Sequence, residues 1–169
     1  MSQRVFGVTG WKNSGKTTLV ERLVTELTAR GWRISTVKHA HHAFDIDKPG
    51  TDSFRHRAAG AGEVAIVSSG RWALMHELRA EQEPDMALII ARLAPCDLVL
   101  VEGYKREEHL KIEARRTAAK DSAPLAPGDP NIVAIAADHA TDAGGLPVFD
   151  LDDIAAIADF VERRSGLVV

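Results

Sequence analysis

Residues 10–17 read GWKNSGKT, which fits the pattern Gly-x-x-x-x-Gly-Lys-Ser/Thr. An apolar run, residues 5–8, precedes the pattern, and apolar residues at three- and four-residue spacing follow it as far as Gly31. In this strand-loop-helix context the glycines let successive N–H groups point at one oxyanion, and the helix dipole points at the same place. The pattern predicts that Lys16 contacts the β- and γ-phosphates of a nucleoside triphosphate and that the Thr17 hydroxyl binds Mg²⁺.

Composition limits the classes of protein to which the chain can belong. A length of 169 residues with 45% hydrophobic content suits a single domain, predicted to span residues 1–169. A formal net charge of −3 gives no general attraction to nucleic acid, and no apolar run approaches the length of a membrane span. Cys96 is the only cysteine, which fits a reducing compartment. We therefore expect a cytoplasmic protein that binds neither nucleic acid nor membrane.

The hydrophobic pattern alternates between strand and helix, which predicts an α/β fold. Residues 98–101 are apolar on both faces, so the sheet is predicted to be doubly wound, mostly parallel and covered by helices on both faces. A β-hairpin over residues 63–76 is predicted as an insertion, residues 109–114 as an edge strand, and the proline-rich residues 117–130 as a mobile loop. The other predicted strands are 5–8, 33–38, 132–137 and 147–149, and the predicted helices are 17–30, 52–59, 86–93 and 152–164.

Polar residues follow several predicted strands at their carboxyl ends, which is where open α/β sheets bind ligands. Glu102 ends the apolar strand 98–101 as the acid of a Walker B element does, and it is predicted to hold Mg²⁺ through water. Asp97, at the other end of that strand, is interpreted as solvated or as part of a turn. Asp138 follows strand 132–137, where it either accepts hydrogen bonds from a guanine base or opens a turn.

The segment after the second strand carries the highest density of polar side chains in the chain. We interpret it as a switch-like loop in which Asp45 or Asp47 approaches Mg²⁺ or water and Arg55 approaches an anion. Its histidines allow a second interpretation, a zinc or nickel site. The polar residues are His39, His41, His42, Asp45, Asp47, Lys48, Asp52, Arg55, His56 and Arg57.

Several motifs in a fixed order resemble one family within the P-loop NTPase superfamily. They are residues 37–42, VKHAHH; 45–55, DIDKPGTDSFR; 59–61, AGA; 101–105, VEGYK; and 111–113, KIE, with Arg115. Together with the phosphate loop they resemble the molybdopterin-guanine dinucleotide biosynthesis adapter proteins, MobB. The resemblance implies a dimeric, GTP-binding protein that uses Mg²⁺ and hydrolyses GTP slowly. Such a protein assists the molybdenum cofactor guanylyltransferase, which joins GMP to molybdopterin.

The resemblance also implies roles for particular residues. Lys16, Thr17 and Glu102 form the predicted catalytic set, with Thr17 and Glu102 nearest the metal ion. Asp47 and Asp138, from the interpretations of the residues given above, and Lys12 and Gly103 are also included in the predicted nucleotide site. The predicted phosphate contacts are Gly10, Asn13, Ser14, Gly15, Lys16, Thr17 and Thr18. A second anionic patch, for a pterin phosphate or the partner enzyme, comprises Lys38, His39, Asp52, Arg55, Lys105, Lys111 and Arg115.

Two alternatives share the phosphate loop. A small-molecule kinase needs a mobile lid with paired arginines, for which Arg115 and Arg116 are the available residues. A metal-delivery GTPase is favoured by the loop histidines and disfavoured by the lone cysteine. The guanine preference depends on the resemblance, because the Asn-Lys-x-Asp signature of Ras-type GTPases is absent.

Overall fold

The computed structural model describes residues 3–40 and 44–168, and these form a main sheet, a separate hairpin and four α-helices. The strands are β1 (Val5–Thr9), β2 (Ile34–Lys38), β3 (Glu63–Val67), β4 (Trp72–His76), β5 (Leu98–Glu102), β6 (Lys111–Arg115), β7 (Ile132–Ala137) and β8 (Val148–Asp150). The helices are α1 (Lys16–Ala29), α2 (Asp52–Ala58), α3 (Met86–Ala91) and α4 (Ile154–Ser165).

Six parallel strands make the main sheet in the order β2-β5-β1-β6-β7-β8. Because β1 lies between β5 and β6, the loop after β1 has a neighbouring strand end on either side. Val8 of β1 is in register with Glu102 of β5 and with Ile112 of β6. The topology therefore brings the ends of three strands to the phosphate loop.

Helices cover both faces of this sheet. On one face α1 and α4 pack over β1, with Leu23, Leu27 and Ile157 fully buried. On the other face α3 packs over β5, where Val99 and Val101 are buried. The predicted doubly wound, mostly parallel sheet with helices on both faces is confirmed, and so is the predicted hairpin.

The position predicted for β6 is wrong, because β6 lies inside the sheet between β1 and β7. Although they are polar, Lys111 and Glu113 are buried in this strand. The Lys111 ammonium binds Asp129 at 2.6 Å, and the Glu113 carboxylate accepts hydrogen bonds from the amides of residues 125 and 126. Long-range partners thus make these polar side chains compatible with the interior.

The contacts divide the chain into two compact units. Unit 1 comprises the described parts of residues 1–39 and 86–169 and contains the main sheet with α1, α3 and α4. Unit 2 comprises the described parts of residues 40–85 and contains α2 and the antiparallel hairpin of β3 and β4. The prediction of a single domain over residues 1–169 stays a prediction.

Candidate functional site

The phosphate loop has the backbone of an anion-binding turn. Gly10, Asn13 and Gly15 have φ values of 144°, 66° and 90°, and α1 begins directly afterwards at Lys16. These left-handed conformations suit glycine and are tolerated by asparagine, which explains why the sequence places those residue types there. The N–H groups of the first turn of α1 therefore face the site that the loop encloses.

Gly10 is required by close packing as well as by its φ value. A Cβ atom at residue 10 would overlap the Ser14 hydroxyl and lie 2.6 Å from the Ala114 carbonyl oxygen. Ser14 is itself buried beneath the loop. Its hydroxyl thus occupies the space that a larger residue at position 10 would need.

The Lys16 ammonium donates a hydrogen bond to the Trp11 carbonyl oxygen at 2.6 Å. Burial lowers the pKa of Lys16 from its ordinary value, Glu102 opposes that shift, and the charges of Lys105 and Lys38 add to it. The site therefore concentrates positive charge, and an anion that binds there relieves the repulsion among these three cations.

Thr17 and Glu102 meet at the head of α1. The Thr17 hydroxyl donates to Glu102 Oε1 at 2.7 Å, and the Lys38 ammonium lies 3.3 Å from the same oxygen. Glu102 is only 8% exposed, so the carboxylate is held within the site. A hydroxyl and a carboxylate together are hard oxygen donors, and they fit Mg²⁺ bound partly through water.

A cavity of about 450 Å³ opens beside this loop. It is lined by Asn13, Gly15, Lys16, Thr17 and Thr18, which belong to the predicted phosphate contacts, and by Ala118 and Arg116. Arg116 was absent from the predicted binding set. Its one signal in the sequence is its place directly after β6, at the same edge of the sheet as the phosphate loop.

Three residues of the predicted second anionic patch lie around the loop. The His39 ring packs on Tyr104 at 4.7 Å between centroids, and the Lys105 ammonium lies 3.8 Å from the centroid of the Trp11 ring. Lys38 contacts Glu102. Gly103 turns the chain here with a φ of 91°, and a Cβ on it would lie 3.3 Å from His39 Cβ.

The structure separates Lys111 and Arg115 from that patch. Lys111 is fully buried and paired with Asp129. Arg115 binds Glu113 at 2.8 Å and donates to the Thr141 hydroxyl at 2.8 Å. Both cations stabilise β6 and its surroundings, so their position does not fit an exposed anion site.

Asp138 lies at the expected edge but has partners of its own. Its Oδ1 accepts hydrogen bonds from the Thr117 amide at 2.9 Å and from the His139 ring at 2.8 Å. The bond with His139, followed by that with the Thr117 amide, lowers the pKa of Asp138 to about 2. The carboxylate organises the turn after β6, and its predicted contact with guanine stays a prediction.

Asp47, Asp52 and Arg55 belong to unit 2. Arg57 forms ion pairs with Asp47 and, at 2.9 Å, with Asp45, so both carboxylates already have a cationic partner rather than being directed at a metal ion. This pairing lowers the pKa of Asp47 from its ordinary value. Asp52 and Arg55 are exposed, and Asp52 Oδ1 lies 3.9 Å from Arg55 Nη1.

Within residues 3–40 and 44–168, no three His, Cys, Asp or Glu side chains cluster closely enough to hold a metal ion. His41 and His42, on which the zinc or nickel interpretation depends, lie outside the described residues. Over the same described part of the chain, none of the helices combines the length and apolarity needed to cross a membrane.

Comparison with known proteins decides the family. Residues 5–138 match the family described as MobB, molybdopterin guanine dinucleotide synthesis protein B. The chain belongs to the MobB family. It is 40% identical over 153 residues to the molybdopterin-guanine dinucleotide biosynthesis adapter protein of Escherichia coli, covering 89% of this chain and 87% of that one. It is 38% identical over 159 residues to the Haemophilus influenzae protein of the same name, covering 94% and 88%.

Solved structures of the MobB family share the fold. The MobB protein homolog from Bacillus stearothermophilus has a TM-score of 0.70 at 29% identity, covering 98% of this chain and 100% of that one. Bacillus subtilis MobB has a TM-score of 0.73 at 26% identity, covering 95% and 97%. The resemblance and the P-loop NTPase fold predicted from the motifs are confirmed.

Proposed function

We propose that this protein is a GTP-binding adapter in the synthesis of molybdopterin guanine dinucleotide. Membership of the MobB family and the names of its E. coli and H. influenzae relatives support the adapter role. The P-loop fold supports nucleotide binding. Guanine is the base we propose because the pathway product named for these relatives carries it.

One observation carries the proposal for the nucleotide site. The Thr17 hydroxyl and the Glu102 carboxylate are 2.7 Å apart, next to the Lys16 ammonium at the head of α1. Lys16 would hold phosphate oxygens, and Thr17 and Glu102 would hold Mg²⁺. The bound ion would supply positive charge against the charge that develops on the phosphates.

Slow hydrolysis is the activity that fits this site. The loop amides, Lys16 and Mg²⁺ can stabilise negative charge on the bridge between the β- and γ-phosphates. Fast hydrolysis also needs a residue that positions the attacking water. The motifs of the chain do not supply a glutamine for this task, so we propose that GTP serves chiefly as a bound ligand.

The partner we propose is the molybdenum cofactor guanylyltransferase, with molybdopterin as a second ligand that reaches the same complex. Lys38 and Lys105 provide positive charge beside the phosphate loop, and the His39 ring packs on Tyr104 next to them. An anionic pterin phosphate or an acidic partner surface fits that charge. We place this activity in the cytoplasm, in a homodimer.

Calorimetric titration tests the nucleotide site. Mg-GTP is expected to bind the unchanged protein more tightly than Mg-ATP or metal-free GTP. Lys16→Ala is expected to weaken Mg-GTP binding by about tenfold to a hundredfold, the usual effect of losing a hydrogen bond to a charged group. Thr17→Ala is expected to remove most of the difference in affinity between Mg-GTP and metal-free GTP.

Arg163→Ala is the control, because Arg163 is an exposed cation of α4 outside every predicted binding set. It is expected to leave affinity within about twofold of the unchanged protein. Absence of Mg-GTP binding by the unchanged protein, or equal affinity of Lys16→Ala, overturns the proposed site. Tighter binding of Mg-ATP than of Mg-GTP overturns the choice of base.

A further inference from the structure

Arg116 lies against the phosphate loop although no motif includes it. It follows the last residue of β6, and its side chain lines the same cavity as Asn13, Thr17 and Thr18. A Cβ atom on Gly15 would lie only 2.7 Å from Arg116 Cδ. The aliphatic part of the arginine therefore packs on the glycine that precedes Lys16, in the space that this glycine leaves open.

The turn after β6 holds Arg116 in this position. Asp138 Oδ2 lies 3.6 Å from Arg116 Nε, and Asp138 Oδ1 accepts hydrogen bonds from the Thr117 amide at 2.9 Å and the Thr117 hydroxyl at 3.2 Å. One carboxylate thus fixes both the arginine and the residue that follows it. This geometry explains why an acid is placed after β7, next to the end of β6.

The guanidinium group keeps the capacity to bind a ligand. The ion pair with Asp138 involves Nε, whereas a guanidinium carries five N–H donors in all. The side chain is 44% exposed, so an anion in the cavity can reach it. Packing on Gly15 and the ion pair limit the freedom of the arginine before a ligand arrives, which reduces the entropic cost of a contact.

A nucleoside triphosphate brings more negative charge than one ammonium can balance. Within the cavity, the cationic side chains are Lys16 and Arg116. Arginine binds phosphate oxygens through two parallel N–H donors, with a geometry that lysine does not reproduce. Lys16 and Arg116 therefore complement each other as phosphate ligands.

We propose that Arg116 is a second cationic ligand of the bound phosphate chain, held in place by Asp138. This inference rests on the proposed function of the phosphate loop. It assigns to Asp138 a positioning role in place of a contact with the base. A kinase interpretation would put this arginine on a mobile lid. In the present proposal it is a fixed part of the nucleotide site.

Calorimetry with two ligands tests the inference. Arg116→Gln keeps the aliphatic stem on Gly15 and removes the charge. It is expected to weaken binding of both Mg-GTP and inorganic triphosphate by about tenfold. Arg116→Lys is expected to recover part of the affinity, because it restores a point charge without the paired donors. Arg163→Ala, at an exposed arginine of α4, is expected to bind as the unchanged protein does.

Inorganic triphosphate separates a phosphate contact from a base contact. If Arg116→Gln weakens GTP binding but leaves the affinity for inorganic triphosphate unchanged, Arg116 contacts the nucleoside and the proposal is overturned. A purely structural role predicts that Arg116→Lys binds no better than Arg116→Gln, and this result also overturns it.

The same titrations test the proposed nucleotide site separately from the role of Arg116. If Lys16→Ala loses Mg-GTP binding while Arg116→Gln does not, only the assignment of Arg116 fails. If the unchanged protein binds neither ligand, the nucleotide site itself fails. Thermal unfolding of Arg116→Gln is measured alongside, and a midpoint equal to that of Arg163→Ala shows that lost affinity does not result from lost folding.

Discussion

Backbone conformation and close packing independently require a glycine at position 10. Its φ of 144° is unfavourable for any residue with a side chain, and a Cβ would collide with the Ser14 hydroxyl and the Ala114 carbonyl. We expect Gly10→Ala to lower the free energy of unfolding by about 3 kcal/mol or more, since backbone strain and overpacking add. Urea unfolding followed by circular dichroism measures this loss, and Mg-GTP binding is expected to fall with it.

Gly31→Ala is the matched control for that substitution. Gly31 has a φ of 95°, and a Cβ there meets nothing within 4 Å. Gly31→Ala should therefore lower the free energy of unfolding only by the backbone strain, about 1–2 kcal/mol. Equal losses for the two variants would show that the close approach at Gly10 has no energetic consequence.

The sequence alone predicts which single residues belong to the candidate site when those residues are part of a local motif. Lys16 and Thr17 follow from the spacing of one loop, and Glu102 follows from an acid at the end of an apolar strand. Arg116 could not be predicted in this way, because its place depends on β6 lying beside β1. The burial of Lys111 likewise depends on a partner, Asp129, 18 residues away.

Polar contacts fix several points of the irregular segment 117–130, whose prolines predict a mobile loop. The Trp11 indole donates to the Ala123 carbonyl at 2.6 Å, and the Lys120 amide donates to the Lys12 carbonyl at 3.0 Å. Both contacts join the segment to the phosphate loop. A short 3-10 turn, Ala126–Gly128, lies near its end.

Glu113 anchors this segment from inside the sheet. Its Oε1 accepts from the Leu125 amide at 2.9 Å, and its Oε2 accepts from the Ala126 amide at 3.0 Å and from Arg115. Glu113→Gln would turn an NH₂ group towards one of these donors and leave Arg115 without its charge partner. We expect a loss of about 2–4 kcal/mol in the free energy of unfolding.

Hydrogen exchange measures the anchoring directly. The Leu125 and Ala126 amides are expected to exchange slowly in the unchanged protein and about tenfold or more faster in Glu113→Gln. Glu108→Gln makes the same chemical change at an exposed residue and should leave both rates unchanged. Rapid exchange of both amides in the unchanged protein would show that the segment is mobile, as its prolines predict, and that Glu113 does not anchor it.

At the scale of elements, the sequence predicts the helices and strands with small differences at their ends, because each has its own periodicity. It does not predict strand order. The pattern of β6, with polar residues at 111, 113 and 115, is identical for an edge strand and for an interior strand whose polar side chains find buried partners. The pairing of β6 with both β1 and β7, and the contacts of its polar side chains with the segment 117–130, distinguish the two.

Unit 2 carries exposed apolar side chains on one face of its hairpin, with Glu63 and His76 at the far end of the same face. Antiparallel pairing places Val67 opposite Trp72 and Ala65 opposite Leu74, so these side chains lie on one face of the hairpin. Val67 is 75% exposed and Trp72 is 71% exposed, whereas Val64 and Met75 on the other face are buried. Apolar side chains grouped on one exposed face indicate a surface for association.

A homodimer that buries this face is the assembly we expect, since most soluble oligomers are symmetric dimers of identical chains. Sedimentation equilibrium should give twice the mass of the chain. Trp72→Lys should shift the equilibrium towards the monomer by about tenfold or more, because the largest apolar side chain of the face is replaced by a charge that would have to be buried.

Ser69→Lys separates association through the face from a general effect of charge. It adds the same charge at the turn between β3 and β4, away from the paired side chains. A symmetric contact presents each Trp72 to the same patch of the second copy, so one substitution acts twice, whereas a charge at the turn remains in water. If both variants dissociate equally, or if the unchanged chain sediments as a monomer at every concentration, the face has another occupant and the dimer prediction is wrong.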